Sequence, residues 1–250
     1  MSSLNNMPSP RHVSLFADLT HPNEMVRLQA IQSLAADPTM ESVLLTALGD
    51  SSWRVRQAAV EGLAKSTNPG LLDTLMQLLQ TKNRDANILN SVLQVLSLSH
   101  LDAVPLLLQG MTNPNPDVRI YCVMALEHHQ DPRVLVALLN ALEDTDMNVQ
   151  YHAIEALGDW EDPNAVEALV SIAESRHFFL AFPALVSLAR IGNSSLVPRL
   201  FPLLVDPVLA IPTLETLGQI GDATLVAPLV ELLDRPNPPT LAVVQALMTL

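Results

Sequence analysis

Residues 25–34 read MVRLQAIQSL, and the pattern returns as RVRQAAVEGL at 54–63, NILNSVLQVL at 87–96, DVRIYCVMAL at 117–126 and NVQYHAIEAL at 148–157. Looser copies follow: FLAFPALVSL at 179–188, VLAIPTLETL at 208–217 and LAVVQALMTL at 241–250. Let the second residue of each copy be position 0. It falls at Val26, Val55, Ile88, Val118, Val149, Leu180, Leu209 and Ala242, at intervals of 29 to 33 residues. Such a period belongs to stacked repeat architectures. Within a copy the apolar residues stand at 0, +4, +5 and +8, which is one face of an α-helix. Position +4 is mostly small (Ala30, Ala59, Ala153, Ala184, Ala246), and +8 is leucine in every copy. We term this element the B helix.

Two further signals mark the repeat unit. Three residues before position 0 stand Asn23, Ser52, Asp85, Asn115, Asp146, His177, Asp206 and Pro239. Six of these are good N-caps, and Pro116 and Pro207 follow at the first helical position, where a missing N–H costs nothing. Upstream of each B helix lies a second amphipathic segment, the A helix, as in SVLLTAL (42–48), LLDTLMQLL (71–79) and RVLVALLNAL (133–142). Several begin with a cap followed by proline: Asp37-Pro38, Asn68-Pro69, Asp131-Pro132 and Asp162-Pro163. Extra turn residues around Lys82-Asn83-Arg84 and Arg235-Pro236-Asn237-Pro238 account for the longer periods. A two-helix unit of this size cannot bury its apolar face alone and must stack on its neighbours. The expected fold is an all-α, right-handed α-solenoid of about eight stacked helix pairs. It spans 11–250 after a disordered tail over 1–10, with the last repeat truncated.

Composition agrees and narrows the function. The 250 residues are 49% hydrophobic but only 4% aromatic, which favours helices over strands. Twenty-six acidic residues against 13 basic ones give a net charge of −13, a poor match for nucleic acid. A single cysteine excludes a disulfide framework or a paired-cysteine metal site. Neither a membrane-spanning run nor a signal peptide is found, so the expected location is cytoplasmic. No phosphate-binding glycine loop, serine-hydrolase elbow or zinc-protease motif occurs, so no catalytic residue and no cofactor is assigned.

The copies DSSWRVRQAAVEGLAK, NPDVRIYCVMALEHHQDPRVLVALLNAL and DMNVQYHAIEALGDWEDPNAVEAL resemble the short HEAT repeats of the phycobilisome-lyase-like class. The resemblance covers roughly 11–250. It implies a helical solenoid, and it admits bilin lyases, scaffolds, adaptors and regulatory proteins alike. The matching residues cap and pack helices, so no catalytic residue is carried over. Copies 6 and 7 depart from the pattern, with Leu180-Ala181 and Leu209-Ala210 in place of Val-Arg. They also place Pro183 and Pro212 inside the B helix, where a kink is expected.

Candidate sites follow from the repeat register. Arginine at +1 (Arg27, Arg56, Arg119) suits a ladder with acids near the caps, such as Asp50 and Asp117. An anion patch at Arg54 and Arg56 is the alternative. Position +2 turns apolar from the fourth copy onward: Ile120, Tyr151, Phe182, Ile211 and Val244. One turn later, +6 adds Met124, Val186 and Met248, with Glu155 and Glu215 between them. This row is either a partner-binding groove with an acidic rim or surface packed against the adjacent repeat. With Phe178 and Phe182 four residues apart, the aromatic segment 178–182 and Tyr151 form its expected anchor.

Residues 127–174 hold eleven acids against the single base Arg133, which makes either a solvated face or an edge for a basic partner. Glu127-His128-His129-x-Asp131 has metal-ligand residue types, but adjacent helical histidines point about 100° apart and no metal is assigned. Cys122, at +4, is expected to be a buried core residue. The expected function is a non-enzymatic protein-interaction module, a scaffold, adaptor or regulatory part. It binds a basic or amphipathic protein or peptide on its concave B-helix face, groove residues being Ile120, Tyr151, Glu155, Phe178, Phe182, Val186, Ile211 and Glu215. The alternative is a bilin lyase subunit or a chromophore- or metal-delivery chaperone. Because Leu241, Val244, Leu247, Met248 and Leu250 leave the last repeat without a polar outer face, the chain is expected to continue beyond Leu250 or to pair there with a second copy.

Overall fold

The computed structural model describes residues 15–82, 85–127, 129–234 and 238–250. The expected tail over 1–10, His128 and most of the two longer turns lie outside these residues. The chain divides into two compact units, Met1–His128 and His129–Leu250. The described residues are helices joined by short turns, and the fold is an α-solenoid.

In the first unit a short helix over 15–18 precedes α1 (Glu24–Leu34), α2 (Glu41–Ala47), α3 (Trp53–Leu63), α4 (Gly70–Thr81), α5 (Ala86–Leu98), α6 (Val104–Gly110) and α7 (Pro116–Leu126). A 3-10 turn, Pro38–Met40, leads into α2. The B helices α1, α3, α5 and α7 pack in series, and α2, α4 and α6 each pack on the B helix that follows. The second unit repeats the plan with A helices α8 (Pro132–Ala141) and α10 (Pro163–Glu174) and B helices α9 (Met147–Leu157) and α11 (Phe178–Ile191). Two shorter A elements follow, α12 (Val197–Leu200) and α14 (Val226–Glu231), alternating with the B helices α13 (Ala210–Ile220) and α15 (Thr240–Thr249). Here α9, α11, α13 and α15 lie side by side.

The register read from the sequence is the register of the core. Every +4 residue is buried, and the +8 leucines from Leu34 to Leu217 are at most 1% exposed. Caps form where the pattern places them: Asn23, Asp85, Asn115 and Asp146 each accept a backbone N–H from the first turn of a B helix. Asp131 and Asp162 do the same for α8 and α10. Ser52 is an exception, since its hydroxyl donates to Glu24 of the preceding repeat at 2.7 Å.

Proline shapes the C-terminal repeats. α11 runs without interruption through Pro183 from Phe178 to Ile191, although the ring removes the donor for the Phe179 carbonyl. At Pro212 the outcome differs. The regular helix starts only at Ala210, so Pro212 sits in its first turn, where no intrahelical N–H bond is required. In the seventh A segment, Pro198 and Pro202 convert what would be one helix into a 3-10 turn (Ser194–Leu196), α12 and a second 3-10 stretch (Phe201–Val205).

The +1 arginines act first on their own turns. Arg27 donates to the carbonyls of His21 and Pro22, Arg56 to those of Asp50 and Ser51, and Arg119 to those of Asn113 and Pro114. Gln150 substitutes in the fifth repeat, donating to the Asp144 carbonyl at 2.6 Å. Each long side chain thus bonds carbonyls of the turn that delivers its helix. Arg27 also makes the expected ladder, with Nε and Nη2 donating to both Asp50 carboxylate oxygens at 2.8 and 2.9 Å. Burial pushes the Asp50 carboxyl up, but Arg27, the Ser52 N–H and Arg56 together outweigh it and hold it below its ordinary value.

Two measurements check this framework. Leu157, fully buried at +8 of α9, gives Leu157→Asp an unpaired core charge. Urea unfolding is expected to show a loss of about 3 kcal/mol or more, and a loss under about 1 kcal/mol would contradict the helix face. Arg176 closes α10 with φ 58°, the left-handed conformation that Gly192 supplies after α11 at φ 74°. Arg176→Gly is therefore expected to raise stability by about 0.5–1 kcal/mol, and a loss of stability would overturn that backbone assignment.

Candidate functional site: an exposed apolar face on the second unit

Successive B helices of the second unit present the same line of positions, −1, +2 and +6, which is an i, i+3, i+7 stripe. On α11 these are Phe179, Phe182 and Val186, all exposed. In the α13 repeat they are Val208, Ile211 (50% exposed) and Glu215. On α15 they are Leu241 (72%), Val244 and Met248 (82%). Eight of these nine side chains are apolar, and the +4 residues of the same helices, with Leu188 and Leu217 at +8, are buried in the core. The helices are amphipathic in the ordinary sense and then carry a second apolar line on the side facing solvent.

α9 bounds this face. Tyr151 is half-buried, its ring centroid 5.7 Å from that of Phe179, while Phe178 and Phe182 pair at 6.1 Å. The expected Phe178–Phe182 pair is thus present, but the aromatic that meets Tyr151 is Phe179. Burial first, and then the Glu155 carboxylate that accepts from its hydroxyl, raise the Tyr151 phenol above its ordinary 10.0. Glu155 also approaches His152 Nδ1 at 3.4 Å. Behind this edge, Arg190 and Ser187 of α11 donate to the Glu155 and Ile154 carbonyls at 2.6 and 3.0 Å, and Arg190 pairs with Asp159. Gly158 makes room for this clamp, since a Cβ there would fall 2.7 Å from Ser187 Oγ and against the Arg190 guanidinium. α9 and α11 are consequently fixed to one another beside the aromatic cluster.

The electrostatic setting is acidic. The second unit contains fifteen Asp and Glu against five arginines and no lysine. Arg133 is paired with Asp131, Arg190 with Asp159, and Arg199 with both Glu167 and Glu174. The Arg133 side chain and backbone N–H hold Asp131 down at about 2. Much of the acidic edge read from the sequence is structural: Asp146 and Asp162 cap helices, Asp144 accepts from the Asp146 N–H, and Asp159 holds Arg190.

The remaining candidates lie elsewhere. Ile120 is half-buried on α7 of the first unit. Arg54 and Arg56, two residues apart on α3, point to different sides. Arg56 is engaged by the turn carbonyls, and Arg54 leans toward Glu24 at 3.7 Å with its guanidinium 6.0 Å from the Trp53 ring centroid. Cys122 is buried, and burial pushes its thiol up to about 12, so it is no nucleophile near neutral pH. Of the histidine cluster, His128 lies outside the described residues. Among those described, no group of three or more His, Cys, Asp or Glu is arranged to hold a metal. No described helix is long and apolar enough to cross a membrane. The −1 row (Phe179, Val208, Leu241) was missed in the sequence, although it stands three residues before the +2 row and completes the same stripe.

Comparison with known proteins agrees with this architecture. A search of curated proteins gave no match. Among solved structures the chain is similar to Kap95p in its complex with RanGDP, at 13% identity and TM-score 0.61, over 95% of this chain and 41% of that one. It also matches human deoxyhypusine hydroxylase (18% identity, TM-score 0.42, 96% and 95% covered) and the CpcE–CpcF complex of phycocyanin lyase from Nostoc sp. PCC7120 (17%, 0.38, 99% and 96%). At these identities the likeness to Kap95p speaks for the fold alone. The family model for HEAT repeats matches residues 13–97 and 104–181, well over half of the sequence. The chain belongs to the HEAT-repeat family.

Proposed function

We propose that the chain is a non-enzymatic protein-interaction module, a scaffold, adaptor or regulatory part, that binds a basic or amphipathic segment of a partner protein on the exposed apolar face of α11, α13 and α15. The observation that carries this reading is the line of eight exposed apolar side chains on three adjacent repeats, seven on α11, α13 and α15 and Val208 in the turn before α13. Contiguous apolar surface outside a core marks an interaction site. Aromatic anchors at Tyr151, Phe178, Phe179 and Phe182 supply the residue types that dominate interface energetics. The helices beneath are packed, so their face needs little ordering when a partner arrives. Glu155 and Glu215 at the margin, in a unit with a large excess of acid, favour a positively charged partner and repel an acidic one.

Phe182→Asp combined with Ile211→Asp is expected to leave the helical circular dichroism spectrum intact, because both side chains are exposed. The double variant should lose a partner that the wild type captures from lysate of the native organism; an identical set of captured proteins would count against this face. Tyr151 supplies a direct reporter. In a Tyr121→Phe background, absorbance at 295 nm is expected to show Tyr151 ionising above its ordinary 10.0, and partner docking should shift the midpoint. A midpoint unmoved by a bound partner would place Tyr151 outside the interface, and one at or below pH 10 in the free chain would contradict its burial beside Glu155.

A further inference from the structure

Resting on the reading of this face as a protein-binding surface, we infer that its occupant is a single α-helix lying across α9, α11, α13 and α15, with apolar residues in heptad spacing and basic residues two heptads apart. The inference comes from how the rows of the face alternate. Along +2 the four neighbouring helices present Tyr151, Phe182, Ile211 and Val244, an unbroken apolar line. Along +6 they present Glu155, Val186, Glu215 and Met248, in which acid and apolar side chains alternate. Neighbouring packed helices stand roughly 10 Å apart. Seven residues of an α-helix advance about 10.5 Å and return to nearly the same face. A helix crossing the stack therefore meets one B helix per heptad. Its apolar positions rest on the +2 line, while its flanking positions see a carboxylate at every second heptad. Glu215 is exposed and forms no ion pair among the described residues, so its charge is available. A basic residue placed one heptad from its mate would lie over Val186 instead, losing water without gaining a partner.

The test uses the whole chain and labelled helix-forming peptides of equal composition, with leucines in heptad spacing and two lysines either roughly fourteen or roughly seven residues apart. Fluorescence anisotropy is expected to show the wider spacing binding at least about 5-fold tighter, the scale of one well-placed charge pair. Glu215→Lys should abolish that preference and tighten a peptide carrying glutamate at the second lysine position. Equal affinities for the two lysine spacings would overturn the inference. An extended, proline-rich peptide with lysines about seven residues apart covers the same span. Were it to bind more tightly than both helices, and be lost in Phe182→Asp, the helical occupant would fall while the apolar face stood. If Phe182→Asp bound every peptide as wild type does, both readings would fall together.

Discussion

Close approach of one B helix to the next is the constraint on which the rest depends. The +4 side chains lie in the core of that stack and are mostly small, Ala30, Ala59, Ala153, Ala184 and Ala246 each being buried almost completely. The +8 leucines from Leu34 to Leu217 are enclosed in the same core, and A helices pack on the B helices that follow them. Variation at +4 is absorbed locally. Cys122 fits opposite Gly110, where a Cβ would strike its sulfur. Thr213 is wholly buried with no hydrogen-bond partner for its hydroxyl among the described residues. An orphaned hydroxyl of this kind costs about 1–3 kcal/mol.

Most of this was legible because it is periodic. Caps, small +4 residues and +8 leucines recur at fixed offsets, and each has a single physical reading. The misjudgements fell where proline altered the local geometry. Pro212 looked like a helix interior, yet the helix begins late enough to accommodate it in the first turn. The broken A segments around Pro198 and Pro202 share that origin. Which aromatic touches Tyr151 was not legible, because Phe178 and Phe179 differ by one residue and the choice depends on how α11 is rotated against α9. The role of the +1 arginines was only half visible. Their acid partner was foreseen at Asp50, but the turn carbonyls carry no sequence signature.

The exposed face follows from the same periodicity pushed further. A helix that buries 0, +4 and +8 has −1, +2 and +6 on its open flank. In the first unit those positions include Gln57 and Asn90, whereas in the second they are apolar apart from Asn148, Glu155 and Glu215. Apart from the Tyr151–Phe179 contact between α9 and α11, the exposure of these side chains shows that the core does not require the change.

The turn-fastening side chain at +1 is present in the first, second, fourth and fifth repeats, as Arg27, Arg56, Arg119 and Gln150. In the sixth, seventh and eighth the position holds Ala181, Ala210 and Val243, which have nothing to donate. The turns ahead of α11 and α13 thus lack the tether found in those four repeats, as does the turn ahead of α5, where +1 is Leu89. Local opening follows the weakest local bonding. The turns that deliver α11 and α13 are therefore expected to open before those of α1, α3, α7 and α9, while the helices they deliver stay packed.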